Sequence, residues 1–206
     1  MTAYLICLVI GYFFGCISMG YIVGRCYHMD IRTKGSGNAG TTNVLRNLGK
    51  LPALITFVGD LAKAIVPVLV IRFAIAPEGE WYLWCLYCGL GVVLGHNFPF
   101  YLKFSGGKGI AVTAAVVMSA CHPVMIPIGL VIFVTAVLLT RYVSVGSLLV
   151  AWYIPANTIA LYRGHPLFIH MLIVSLLFTI LAYVQHRQNI VRLLHGEENP
   201  LFQKRK

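Results

Sequence analysis

Three polar stretches in an otherwise apolar chain carry residues suited to binding phosphate. The first runs Gly35-Ser36-Gly37-Asn38-Ala39-Gly40-Thr41-Thr42-Asn43-Val44-Leu45-Arg46. Glycines allow left-handed backbone angles and the close approach of a ligand, and consecutive N–H groups form an anion nest. Ser36, Asn38, Thr42 and Asn43 add polar side chains, and Arg46 can grip a phosphate through its planar fork. A flexible linker is the bland account, but it does not call for two Asn, two Thr and an Arg in so short a space.

The second stretch runs from Gly95-His96-Asn97-Phe98-Pro99 to Ser105-Gly106-Gly107-Lys108-Gly109 and opens into an apolar helix. Gly106 and Gly107 before a helix start bring backbone donors and the positive helix end to one spot, with Lys108 as a point charge. The Gly-x4-Gly-Lys-Ser/Thr spacing of a Walker loop is absent. His96 alone is ambiguous, since a histidine at a helix end is often a capping group. In the third stretch, His186-Arg187-Gln188-Asn189-Ile190-Val191-Arg192, helical spacing puts His186 and Asn189 on one face. A basic anchor helix accounts for Arg192 and for Lys204, Arg205 and Lys206, but requires neither His186 nor Asn189.

The elements that must position these loops are membrane helices. Of 206 residues 59% are hydrophobic and 11% charged, against about 25% charged in soluble domains, and the mean hydropathy is +0.82. The reading is all-α: a polytopic integral membrane protein forming a single transmembrane domain over 1–206, its first span retained rather than cleaved. Apolar segments run near 3–24, 52–76, 81–102, 110–121, 123–140, 142–162 and 166–185. His122-Pro123 and Pro127 divide the long run 110–140 in two. With about seven transmembrane helices, the N-terminus outside and the C-terminus cytoplasmic, the inner loops hold Arg25, Arg32, Lys34, Arg46, Lys50, Lys103, Lys108, Arg141, Arg187, Arg192, Lys204, Arg205 and Lys206. These are thirteen of the sixteen basic residues, as the positive-inside rule requires. The formal charge of +10 is spread over these loops, which argues for anionic headgroups and substrates rather than nucleic acid.

Gly11-x3-Gly15, Gly20-x3-Gly24 and Gly91-x3-Gly95 read as helix-packing faces. Asp60 and Lys63, three apart inside the second span, read as an ion pair, and the six cysteines as buried hydrophobes. No cofactor or metal is expected.

The motifs Ser36-Gly37-Asn38, Thr42-Asn43 and Arg46, then Gly95-His96, Pro99 and Gly106-Gly107-Lys108-Gly109, then His186-Arg187, Asn189-Ile190, Arg192 and Gly196 resemble, in order and spacing, those of the PlsY-type bacterial glycerol-3-phosphate acyltransferases. The resemblance implies a seven-helix protein of the bacterial cytoplasmic membrane, with its active site on the cytoplasmic face. It implies acyl transfer from acyl phosphate to the sn-1 hydroxyl of glycerol 3-phosphate, giving lysophosphatidic acid and phosphate. By resemblance Ser36, Arg46, Lys108, His186 and Asn189 bind or activate the two substrates. Thr42, Asn43 and the Gly106–Lys108 backbone line the acyl-phosphate site, with Gly37, Asn38 and His96 beside them, and Ser144 matches a short cytoplasmic loop. Cys16 stands where the family often has Ser, and Ser105 where it often has Lys. A monomer is expected.

No His-x4-Asp pair occurs, so the acyl-CoA-type dyad is absent. Either His186 or the leaving phosphate accepts the hydroxyl proton, and the phosphate is favoured because no carboxylate is in evidence to orient His186. The alternative of a phosphate or organophosphate transporter expects polar residues at mid-membrane and inverted repeats; the polar residues here cluster at the loops.

Overall fold

The structure, a computed structural model, describes residues 1–201; Lys204, Arg205 and Lys206 lie outside them. Among the described residues the regular elements are α-helices, short 3-10 turns and a π-helical turn at Ile71–Ile75, with no strand. Five stretches are long and apolar enough to cross a membrane: Thr2–Cys26, Lys50–Ile75, Trp81–Leu102, Val143–Tyr162 and Phe168–Gln185. Two shorter apolar helices, Ile110–Ala120 and Met125–Thr140, flank the break expected at His122-Pro123. The fold is all-α and polytopic.

The chain divides into two compact units, Met1–Ala120 and a second beginning at Cys121. The first holds α1 (Thr2–Gly15), α2 (Met19–Cys26), α3 (Thr41–Leu48), α4 (Lys50–Val70), α5 (Trp81–Asn97) and α6 (Ile110–Ala120). Its spine is the parallel pair α1 and α5. A Cβ at Gly11 would meet the Cys88 carbonyl oxygen, one at Gly15 that of Val92, one at Gly91 that of Leu8 and one at Gly95 that of Tyr12. Both small-residue rows are therefore filled by the partner helix's backbone. Tyr4 Oη donates to Glu80 Oε2 at 2.8 Å near one end of the pair, and Tyr12 Oη to the Phe98 carbonyl at 2.9 Å toward the other.

The first apolar segment is interrupted between α1 and α2, where Ser18 is extended (φ −82°, ψ 90°). The break turns two carbonyls outward: Cys16 O accepts from Tyr101 Oη at 2.8 Å, and Ile17 O from Lys63 Nζ at 2.7 Å. A continuous helix would have kept both carbonyls for its own N–H groups. Below the break, Val23, Ile31, Ala39, Val44 and Ala53 form a small apolar cluster with Met29, Leu45 and Leu48 packed against it. That cluster seats α3 and the loop before it.

The second unit holds α7 (Met125–Thr140), α8 (Val143–Val150), α9 (Tyr153–Tyr162), α10 (Phe168–Gln185) and α11 (Arg187–Leu194). On α7, Leu130, Leu138 and Leu139 are exposed, as a helix apolar on every side requires of its lipid face. Arg141 closes α7 in a left-handed cap (φ 66°), and its carbonyl accepts from Leu201 N at 2.8 Å. The segment after α11 and the turn before α8 are thus tied to one another.

Candidate active site

The first loop is organised from within by Asn43. Its Nδ2 donates to the carbonyls of Ile31 at 3.0 Å, Lys34 at 3.0 Å and Asn38 at 2.9 Å, while its Oδ1 accepts from Ser36 N at 3.0 Å and Asn47 Nδ2 at 3.1 Å. Asn43 is 2% exposed: one buried amide shapes the whole turn. Gly35 (φ 56°) and Gly37 (φ 71°) take left-handed angles, and a Cβ at Gly35 would meet Asn43 Oδ1. The result leaves the Ser36 side chain exposed and Gly37 and Asn38 half-buried on the rim. On α3, Thr42 and Arg46 are one turn apart; Asn43 and Val44 are buried, whereas Arg46 is exposed.

The first and second loops meet through Arg32. Its Nε and Nη2 clasp Asp30 at 3.0 and 2.8 Å, and its Nη1 donates to the Leu102 carbonyl at 3.1 Å. The Arg32 side-chain hydrogen bond holds the Asp30 carboxyl below its ordinary 3.8. Loops 70 residues apart in sequence are therefore fixed at one end of the unit.

In the second loop, Gly106 N donates to the Asn97 carbonyl at 3.1 Å and Gly107 N to that of His96 at 2.9 Å. Both glycine N–H groups, read from sequence as anion donors, close the loop onto the C-terminal end of α5. That end has carbonyls without intrahelical partners, and the loop satisfies them. What remains to attract an anion is Lys108, half-buried, and the N-terminus of α6, whose first N–H groups have no intrahelical acceptor. Gly109, at φ 86°, makes the turn between them.

His96 (4% exposed) and Asn97 (1% exposed) are buried beneath this loop. Lys63 Nζ lies 2.8 Å from Asp60 Oδ1, the ion pair expected from their spacing, and 2.9 Å from His96 Nδ1. Asn97 was passed over in the sequence; its side-chain amide has no hydrogen-bond partner in the protein and sits against Gly109. A buried amide without a partner is costly, and nothing in a Gly-His-Asn string signals it.

In the second unit, His186 ends α10 and begins α11. Its Nδ1 lies 2.7 Å from the Ala182 carbonyl. A carbonyl only accepts, so Nδ1 carries a proton. Asn189 Nδ2 donates to Glu198 Oε1 at 2.7 Å, and Arg192 Nε to Glu198 Oε2 at 2.9 Å. Glu198, 8% exposed, was given no role in the sequence reading. It reaches Asn189 only because the chain turns at Gly196 (φ 70°). Ser144, on the first turn of α8, is 4% exposed and its Oγ has no partner in the protein.

Among the described residues no group of three or more His, Cys, Asp or Glu side chains is placed to hold a metal. Cys85 and Cys88 are buried thiols outside any disulfide, as expected of packing residues, whereas Cys26 is exposed.

These features define an all-helical integral membrane protein whose candidate phosphate-binding residues lie in loops and near helix ends. The family description Glycerol-3-phosphate acyltransferase matches residues 5–196, and the chain belongs to that family. It is 42% identical over 205 residues to a glycerol-3-phosphate acyltransferase of Clostridioides difficile, covering 98% of each chain. It is 39% identical to one of Geobacter sulfurreducens, covering 95% of this chain and 96% of the other. The crystal structure of PlsY, an integral membrane glycerol 3-phosphate acyltransferase, in its glycerol 3-phosphate form superposes with a TM-score of 0.82 at 31% identity, covering 97% of this chain and 96% of that one. Its lysophosphatidic acid form gives 0.79 at 30% identity, covering 96% and 94%.

Proposed function

We propose that this protein transfers an acyl group from acyl phosphate to the sn-1 hydroxyl of glycerol 3-phosphate. The hydroxyl oxygen attacks the acyl carbon, the bond from that carbon to the phosphate oxygen breaks, and lysophosphatidic acid and inorganic phosphate leave. The observation that carries this reading is full-length kinship with glycerol-3-phosphate acyltransferases, including one captured with glycerol 3-phosphate and with lysophosphatidic acid.

Two anions must be brought together, which needs concentrated positive charge. Arg46 and Lys108 supply it, Arg46 as a fork and Lys108 as a point charge ahead of α6. Ser36, Gly37, Asn38 and Thr42 form the rim that meets phosphate, with Asn43 holding the rim in shape. His96, Gly106 and Gly107 hold the second loop in the setting that presents Lys108. His186, Asn189 and Ser144, in the second unit, are read as substrate-binding residues from the motif resemblance. The departing phosphate takes the hydroxyl proton, since it becomes a stronger base as the bond breaks.

The protein resides in the bacterial cytoplasmic membrane as a monomer with seven spans, the N-terminus outside and the loops bearing Arg46 and Lys108 inside; the basic loops support that orientation.

Purified protein given acyl phosphate and glycerol 3-phosphate should release phosphate; an intact fold with no release sinks the enzyme reading. Comparable turnover with acyl-CoA in phosphate-free buffer overturns the choice of donor. Cysteines at positions 35 and 79 should label from opposite sides of the membrane, and labelling from one side refutes the topology.

A further inference from the structure

Lys63 lies within α4 with three groups around its ammonium: Asp60 Oδ1 at 2.8 Å, the Ile17 carbonyl at 2.7 Å and His96 Nδ1 at 2.9 Å, the last also 3.6 Å from Asp60 Oδ1. The contact with Asp60 is an ion pair. Lys63 is 6%, His96 4% and Asp60 1% exposed. Two charges inside a membrane span are costly even when paired, and for packing alone apolar residues would serve as well or better. Here the ammonium does something an apolar residue could not do. It has only hydrogens to offer, so the ring nitrogen facing it must be an acceptor. The ring proton of His96 is thereby placed on Nε2.

That nitrogen faces the glycine loop: a Cβ at Gly107 would meet Nε2 directly. The same residue pair is joined by its backbone, Gly107 N donating to the His96 carbonyl at 2.9 Å. His96 therefore grips Gly107 by main chain and ring edge at once, one residue before Lys108. The third acceptor, Ile17 O, is available because the first span breaks between α1 and α2. A helix break, a buried ion pair and a histidine tautomer thus converge on one loop.

We propose that Asp60 and Lys63 are positioning residues for the phosphate-bearing acyl donor. They hold His96 with Nδ1 as acceptor and Nε2–H toward Gly107, and so set the loop that presents Lys108. The proposal rests on the reading of that loop as the acyl-phosphate site. Asp60 and Lys63 touch no substrate; they act through His96.

Long-range proton–nitrogen spectra of the full-length protein labelled with nitrogen-15 histidine in nanodiscs test it, with His96→Gln identifying the signal. His96 should carry its proton on Nε2. In Asp60→Asn/Lys63→Met, which removes both charges and the donor, the ring should become a mixture of tautomers. The KM for acyl phosphate should then rise about fivefold or more, with the KM for glycerol 3-phosphate changed by less than about twofold. Asp60→Asn/Lys63→Gln, whose amide still donates to Nδ1, should restore both the tautomer and the KM. A wild-type ring protonated on Nδ1, or a folded Lys63→Met double variant with an unchanged acyl-phosphate KM, overturns the proposal. The spectrum is read without substrate: absent wild-type turnover sinks the acyl-transfer reading, whereas a wrong tautomer with normal turnover sinks this one.

Discussion

Asn189 donates from Nδ2 to Glu198 Oε1 over 2.7 Å, with the two side chains buried at 6% and 8% exposure. The other carboxylate oxygen accepts from Arg192 Nε at 2.9 Å. One acid thus fixes which way the Asn189 amide points: its nitrogen is committed to Glu198, so its oxygen turns the other way.

Glu198→Ala should uncouple that arrangement. A buried donor left without its charged acceptor costs about 1.5–3 kcal/mol, so the melting temperature should fall. Activity should fall with it even at temperatures where the variant is fully folded, because the Asn189 amide is no longer held. Glu198→Gln keeps an acceptor for Asn189 but loses the charge facing Arg192, and should recover most of the activity. Thermal unfolding and phosphate release measured on both variants check this; a fully active Glu198→Ala contradicts it.

Arg46→Ala and Lys108→Ala should each remove most activity while leaving the melting temperature near wild type, since Arg46 is exposed and Lys108 half-buried. Taking away a charged group that faces a bound anion costs on the order of 2–5 kcal/mol, roughly thirty- to several-thousand-fold in rate. Steady-state kinetics beside circular dichroism decide it: inactivity with lost helicity would mean a structural role.

His186→Gln should keep part of the activity, with a pH profile close to wild type, if the leaving phosphate is the base. The glutamine can still offer a hydrogen-bonding atom where Nε2 stood, but it cannot take up a proton. Complete inactivity of a folded His186→Gln that still binds glycerol 3-phosphate would make His186 the base.

Acid should loosen the first loop through Asp30. The Arg32 hydrogen bond holds the folded carboxyl below its ordinary 3.8, so the folded state binds that proton more weakly than the unfolded chain does. The clasp's contribution is therefore fully present above about pH 4 and is lost as pH falls through the folded value. Asp30→Asn should flatten that part of the stability curve. Thermal unfolding of both forms from neutral pH down to about pH 3 reads the difference, and parallel curves would refute it.

The residues of all three motifs, the all-helical membrane class and the break in the run 110–140 were legible in the chain itself. The reason is the cost of polarity in lipid: where hydrocarbon is the solvent, a cluster such as Ser36 to Arg46 or Gly106 to Gly109 needs a purpose, and prolines punctuate what apolarity leaves continuous. The glycine rows of α1 and α5 announced close packing in the same way, although which helices met was not in the spacing. Directions and partners were decided by the tertiary structure. Asn43 turns inward and spends its amide on three carbonyls because α3 is seated by Val44 on a cluster drawn from α2, α4 and the loop. The Gly106 and Gly107 N–H groups close onto α5 because its end carries unsatisfied carbonyls beside them. Lys63 meets His96 from 33 residues away, and Glu198 meets Asn189 only after the turn at Gly196. A hydrogen bond depends on ångström separations and on which atom faces which, and distance along the chain carries neither until the helices have packed.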